Sequence, residues 1–172
     1  MDWQQSMSSV WTQLGSIREA RGNPPGAEEA YAAVLAIWRH LTNGDPFNVC
    51  WQRELAASWS NVARIRDARR DLPGVLEAQE AGLAVRKSLA RLDPANAVWR
   101  RDQVRLHLRI ADALDGTARA VAASAHRSEA HGVLLKMRDN GIGLDEEEQR
   151  VLDELDARFG GGGACPETPR DA

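Results

Sequence analysis

A 48-residue period constrains this chain more than any other feature. Trp3, Trp51 and Trp99 fall 48 residues apart, twice over. The same shift lays Trp11 on Trp59, Ile17-Arg18 on Ile65-Arg66, Pro25-Gly26 on Pro73-Gly74, and Leu35-Ala36 on Leu83-Ala84. Asp45-Pro46 falls on Asp93-Pro94, and Asn48 on Asn96. Residues 3–50 and 51–98 share 18 identities in 48 positions without a gap. Chance does not hold register through two loops, so the chain must be built from a repeated structural unit.

Each unit reads as two helices. Trp3, Met7, Val10, Trp11, Leu14 and Ile17 recur at three- and four-residue spacings, as do Trp51, Leu55, Trp59, Val62 and Ile65. That spacing lays an apolar stripe along a helix. Gly22-Asn23-Pro24-Pro25-Gly26 and Asp71-Leu72-Pro73-Gly74 then read as turns, because Pro and Gly interrupt helix interiors. Ala30, Val34, Leu35, Ile37, Trp38 and Leu41 form a second stripe, matched by Ala78, Leu83, Val85 and Leu89. Asp before Pro46 and Pro94 is pushed out of the helical region, so both dipeptides separate units. A lone helix pair cannot bury its apolar face, and stacking pairs does so. The expected fold is all-α, a short solenoid of about seven helices.

The expected organisation is unit one over 3–50, unit two over 51–98 and a degenerate unit three over 99–140. An acidic capping helix over 141–159 and a disordered tail over 160–172 follow. Unit three starts on register at Trp99, but His107 replaces the Trp of the other units and Asp115-Gly116-Thr117 replaces the Pro-Gly turn. Asp145 with Glu148 reads as a capping box ahead of Val151, Leu152, Leu155 and Phe159.

These residues resemble the tetratricopeptide repeat family, and more narrowly its long-unit bacterial members. The resemblance rests on Asp45-Pro46-Phe47-Asn48-Val49-Cys50-Trp51-Gln52-Arg53-Glu54-Leu55, which recurs as Asp93-Pro94-Ala95-Asn96-Ala97-Val98-Trp99-Arg100-Arg101-Asp102. It covers roughly 3–115. It departs at Glu54, where the pattern has Asp, and at the missing turn of unit three. The resemblance implies a right-handed superhelix whose first helices line a concave, peptide-binding groove, and it implies no chemistry.

The expected function is therefore a non-catalytic interaction module, as scaffold, adaptor or regulatory subunit. Arg101, Arg105 and Arg109, spaced by four, are expected to share one face, with Arg53, Asn61 and Arg64 at related places in unit two. Guanidinium groups suit bidentate capture of carboxylates, which points to an acidic peptide. The alternative is a solvated face paired with Glu54, Asp102 and Asp112. Trp3, Trp11, Trp51, Trp59, Trp99, Pro46, Pro94, Gly26 and Gly74 are read as repeat-forming residues, the tryptophans packing between units.

The net charge is −3, which sets the chain apart from basic nucleic-acid binders. Charge is uneven: 99–140 carries +3 and 141–172 carries −6. The acidic last helix either folds over the basic surface or simply caps the stack, with acids favoured at its N-terminus. Two cysteines, Cys50 and Cys165, fit a reducing cytoplasmic setting. Cys50, at a unit junction, is expected to be packed or partly buried. No run is long enough to span a membrane. His126, Glu129 and His131 are metal-ligand types, but a spacing of five does not put both histidines on one helix face, so no metal and no cofactor is expected. No phosphate loop or nucleophile elbow is present, so no enzyme is expected. Trp3 already lies in the first helix, so the start of the stack is expected to be covered by a partner or a second copy, or to continue a longer array. That makes an assembly subunit of a larger complex, docked through its N-terminal end, the alternative function.

Overall fold

A computed structural model describes residues 3–115 and 118–159; the expected tail over 160–172 and Gly116-Thr117 lie outside the described residues. Among the described residues there are seven α-helices and no strand. They are α1 Trp3–Ala20, α2 Pro24–Gly44, α3 Val49–Ala68, α4 Leu72–Leu92, α5 Ala97–Leu114, α6 Ala120–Asp139 and α7 Glu146–Phe159. Each packs on the next in chain order, giving a short superhelix of antiparallel pairs.

The repeated loops owe their form to local hydrogen bonds. Asp45 leaves α2 in an extended conformation, and its Oδ1 accepts from Phe47 N at 3.1 Å. Asn48 then caps α3, its Oδ1 accepting from Trp51 N at 3.2 Å. Asp93 and Asn96 repeat this ahead of α5, with Ala95 N at 3.2 Å and Trp99 N at 3.4 Å. The Asp-Pro-x-Asn signature is thus an Asx turn closed by a proline and followed by an N-cap.

The Pro-Gly segments differ from expectation. Asn23 and Asp71 are N-caps, and Pro24, Pro25, Gly26, Pro73 and Gly74 already lie in the first helical turn. The first turn has no intrahelical use for its N–H groups, so proline costs nothing there. The reversal happens one step earlier, at Gly22 (φ 69°) and its counterpart Arg70 (φ 59°). Asn23 N donates to Arg18 O at 2.9 Å, and Asp71 N to Arg66 O at 2.9 Å, the closure of a left-handed C-terminal cap. Arg18 and Arg66 then reach across each turn to Gly26 O at 2.8 Å and Gly74 O at 3.0 Å.

Three apolar clusters run along the stack. Tyr31, Val34, Leu35, Trp38 and Leu41 of α2 pack with Leu55, Val62 and Ile65 of α3. Leu76 and Leu83 of α4 meet Leu106, Ile110 and Leu114 of α5 and Ala123 of α6. Val104 of α5 joins Leu134 and Met137 of α6 with Leu152 and Leu155 of α7. Full burial of side chains of this size contributes about 1.5–3 kcal/mol each. The recurring tryptophans are less buried than expected. Trp11, Trp51 and Trp59 are half-buried against the first cluster, and Trp3 is exposed, no helix among the described residues packing on that side of α1. Cys50, expected to be packed or partly buried, is exposed in the first turn of α3, where it borders a recess shared with Ser9 and Gln13 of α1.

Candidate functional site

A wide depression lies between α3 and α5, with α4 as its floor. It has a volume of about 640 Å³ and is walled by Trp59, Asn61 and Arg64 of α3 and by Leu106, Arg109 and Asp112 of α5. A ligand cleft is typically about 300–1,000 Å³. A smaller recess of about 350 Å³, lined by Arg53, Trp99 and Asp102, continues the same furrow toward the N-termini of α3 and α5. Arg86 borders both.

The 48-residue shift explains why the large recess exists. Gln79 on its floor stands where unit one has Tyr31 and unit three has Arg127. Tyr31 is buried, and its ring lies against Gly15, where an added Cβ would come within 2.7 Å of Cε1. Its hydroxyl lies 3.2 Å from Ser16 Oγ and donates to Glu19 at 3.2 Å. Arg127 fills the corresponding space in unit three by donating to Asp112 and Asp115, each at 3.0 Å from one guanidinium nitrogen. Those bonds hold the Asp115 carboxyl below its ordinary pKa. Gln79 does neither. Its Oε1 is buried without a hydrogen-bond partner. A buried acceptor left unpaired costs about 1–3 kcal/mol, and such groups are rare in folded proteins.

Around Gln79 stand further polar groups without partners. Asn61, Asp67 and Arg109 line the recess, and no side-chain hydrogen bond or ion pair engages them among the described residues. Arg53 is likewise unpaired in the smaller recess. Arg86 is satisfied: it donates to Ser60 Oγ at 2.9 Å, and its backbone carbonyl accepts from Gln103 at 3.1 Å. Burial lowers the Arg86 pKa; Asp102 opposes this and Arg109 adds to it.

The expected arginine face is divided. Each step of four residues advances about 40° around a helix, so three residues spaced by four do not stay in line. Arg109 faces the α3–α5 recess. Arg105 is exposed and pairs with Asp102 at 3.6 Å on its own helix. Arg101 turns to the other side of α5, donating to Glu148 at 2.7 Å and to Gly143 O at 2.7 Å. Arg64 is paired with Glu19 and stacks over the Tyr31 ring. Of the six residues read as a binding set, Arg53, Asn61 and Arg109 therefore stay unengaged in the furrow.

The acidic helix does not lie over that furrow. No α7 residue lines either recess, and α7 packs on α6 through Leu152 and Leu155. Asp145 and Glu148 form the reciprocal capping box, with Glu148 N donating to Asp145 Oδ1 at 2.8 Å and Asp145 N to Glu148 Oε2 at 3.0 Å.

One arrangement was not foreseen. His107 replaces the repeated Trp, and 48 residues separate His126 from Ala78, so both members of a packed pair change together in unit three. Their Nδ1 atoms lie 3.1 Å apart, and His107 Nε2 is buried without a partner. Burial, then nearby Lys87 and His126, push His107 down to about 4, with Glu129 opposing. His131 turns instead to Asp156 at 2.6 Å.

The architecture and furrow define a helical-repeat class of fold. The chain is similar to the N-terminal domain of stress-induced protein-1 (STI-1) from C. elegans, a tetratricopeptide-type domain, at 13% identity and a TM-score of 0.56, over 91% of this chain and 99% of that one. It is also similar to BtubC (BKLC) from P. vanneervenii at 13% identity and a TM-score of 0.52, over 96% of this chain and 68% of that one. Neither a protein-family profile nor a curated protein sequence matches the chain. At this identity the likeness establishes the fold, tetratricopeptide-like helical repeats, and nothing finer. Among the described residues no helix is long and apolar enough to cross a membrane.

Proposed function

We propose that this protein is a non-catalytic interaction module of the long-unit bacterial tetratricopeptide type. It seats an extended segment of a partner protein in the α3–α5 furrow. The observation that carries this reading is Gln79: a buried acceptor with no partner, on the floor of an unfilled recess, beside unpaired Asn61, Asp67 and Arg109. Side-chain amides offer one donor group and one acceptor, the pair that an extended backbone needs. Arg109 and Arg53 are the groups that would grip acidic side chains along that segment. Asp67 and Asp112 line the same recess, so the favoured ligand carries single acidic residues and not a continuous acidic run. It would act in the cytoplasm as a scaffold, adaptor or regulatory subunit, a setting whose reductants keep an exposed thiol such as Cys50 reduced.

Selecting peptides from a random displayed library and measuring them by fluorescence anisotropy tests this. Peptides selected on the native chain should bind Arg109→Glu at least about tenfold more weakly and bind Arg21→Glu, outside the furrow, unchanged. Equal binding to both variants would remove the furrow as the site.

A second reading, an assembly subunit docked through its N-terminal end, is favoured by one separate observation: the apolar side chains of α1 that no other helix covers among the described residues.

A further inference from the structure

We propose that a second copy of this chain covers the outer face of α1, so that the protein is a homodimer joined α1 to α1. Trp3, Met7, Val10, Leu14 and Ile17 alternate four- and three-residue steps along nearly the whole helix. That is the seam spacing by which two helices pack along their length. Trp3, Met7, Val10 and Ile17 are 67%, 43%, 61% and 49% exposed.

The repeat shows that this is a packing face. In unit two the same positions are Trp51, Leu55, Ser58, Val62 and Ile65. There Leu55, Ser58, Val62 and Ile65 are 7%, 3%, 3% and 0% exposed, where α2 lies in front of α3. In unit three Gln103, Leu106 and Ile110 are buried in turn, where α4 lies in front of α5. Only unit one lacks a helix on that side among the described residues.

Charge and complementarity identify the occupant. Residues 3–17 contain no Asp, Glu, Lys or Arg, in a chain that is 27% charged. A charged partner surface would lose water there and gain no ion pair. A neutral apolar stripe is needed, and among the described residues the other exposed large apolar side chains, Phe47, Leu72, Leu92, Val98 and Val121, stand in different loops and helices and form none. Residues 160–172 contain no Leu, Ile, Val, Met or aromatic residue with which to fold back. The stripe that matches α1 is α1 itself, and two copies meet without like-charge repulsion. The contact is isologous, so it closes on itself as a dimer and does not propagate.

Sedimentation equilibrium on the full chain tests this. The native protein should reach twice 18.9 kDa, and Val10→Glu should be monomeric with unchanged helical circular dichroism. Val10 is the middle seam residue, so it meets its mate whether the helices run parallel or antiparallel. Val10→Cys in a Cys50→Ser, Cys165→Ser background should therefore form a disulfide-linked dimer on mild oxidation. A native chain that stays monomeric at millimolar concentration overturns the proposal. So does a dimer that survives Val10→Glu, or one that Val10→Cys fails to crosslink.

Discussion

Tyr31 and Gln79 occupy the same position of successive units, and the exchange of one for the other turns a filled space into an open one. Tyr31 is seated because Gly15 leaves room for its ring. The residue equivalent to Gly15 in unit two is Ala63, and it is buried. Ring and glycine belong together, as do Gln79 and alanine. Gly15→Ala should therefore destabilise the fold by about 1–3 kcal/mol, through a methyl group driven into the ring. Urea unfolding reads this directly, and an unchanged midpoint would mean that Tyr31 is not held against Gly15.

Arg70 adopts the left-handed conformation that Gly22 adopts in unit one. Non-glycine residues pay about 1 kcal/mol there. Arg70 also makes no side-chain hydrogen bond or ion pair among the described residues. Arg70→Gly should raise stability by up to about 1 kcal/mol, seen as a higher melting temperature, whereas Gly22→Arg should lower it by a similar amount.

The His107–His126 pair should make stability depend on pH. His107 is held near 4 against an ordinary 6.5, so the folded protein keeps the neutral ring while the unfolded chain takes up a proton. Its contribution is complete above about pH 6.5 and is lost as the pH falls toward 4, on the order of 3 kcal/mol across that window. His126, which burial also lowers, adds in the same direction. Lys87, Glu129, Glu80 and Arg119 are the charged groups around the pair. Restoring the arrangement of the other units with His107→Trp and His126→Ala should flatten the slope. A native chain as stable at pH 4.5 as at pH 7 would show that the pair is not held neutral.

Helix α7 should be fastened by its apolar side, with the Arg101–Glu148 contact secondary. Leu152 is fully buried against α6, so Leu152→Ala should cost about 2–5 kcal/mol. Arg101→Ala removes a partly exposed ion pair and a bond to Gly143 O, and should cost about 1 kcal/mol or less. Hydrogen exchange of the α7 amides would separate the two. Equal acceleration in both variants would assign the docking to charge.

The helices and the Asp-Pro loops between units were legible because short-range chemistry specifies them, whereas the turns within units were placed a step too late. Asp45, Asn48, Asp93 and Asn96 act on backbone groups two or three residues away. The site was legible only in part. Arg101, Arg105 and Arg109 look alike along one helix, but their surroundings differ: Arg101 meets Glu148 of α7, Arg105 pairs with Asp102 of its own helix, and Arg109 faces an open recess. Helical spacing cannot say which neighbour a side chain meets. The Trp stripe was read as buried packing, which fails at Trp3 because burial requires a unit in front. Gln79 and the histidine pair were missed, although aligning the units would have flagged them: Tyr, Gln and Arg at one position, and Trp-Ala replaced by His-His at another.

The central claim is that the space left by Gln79 receives the partner's segment. Filling that space from within tests it most directly. Ala63→Gly with Gln79→Tyr recreates the Gly15–Tyr31 arrangement in unit two, and circular dichroism with thermal melting checks that the fold is kept. Peptides selected on the native chain, titrated against this variant, should bind at least about tenfold more weakly. Unchanged affinity for a folded variant whose recess is filled would contradict the claim.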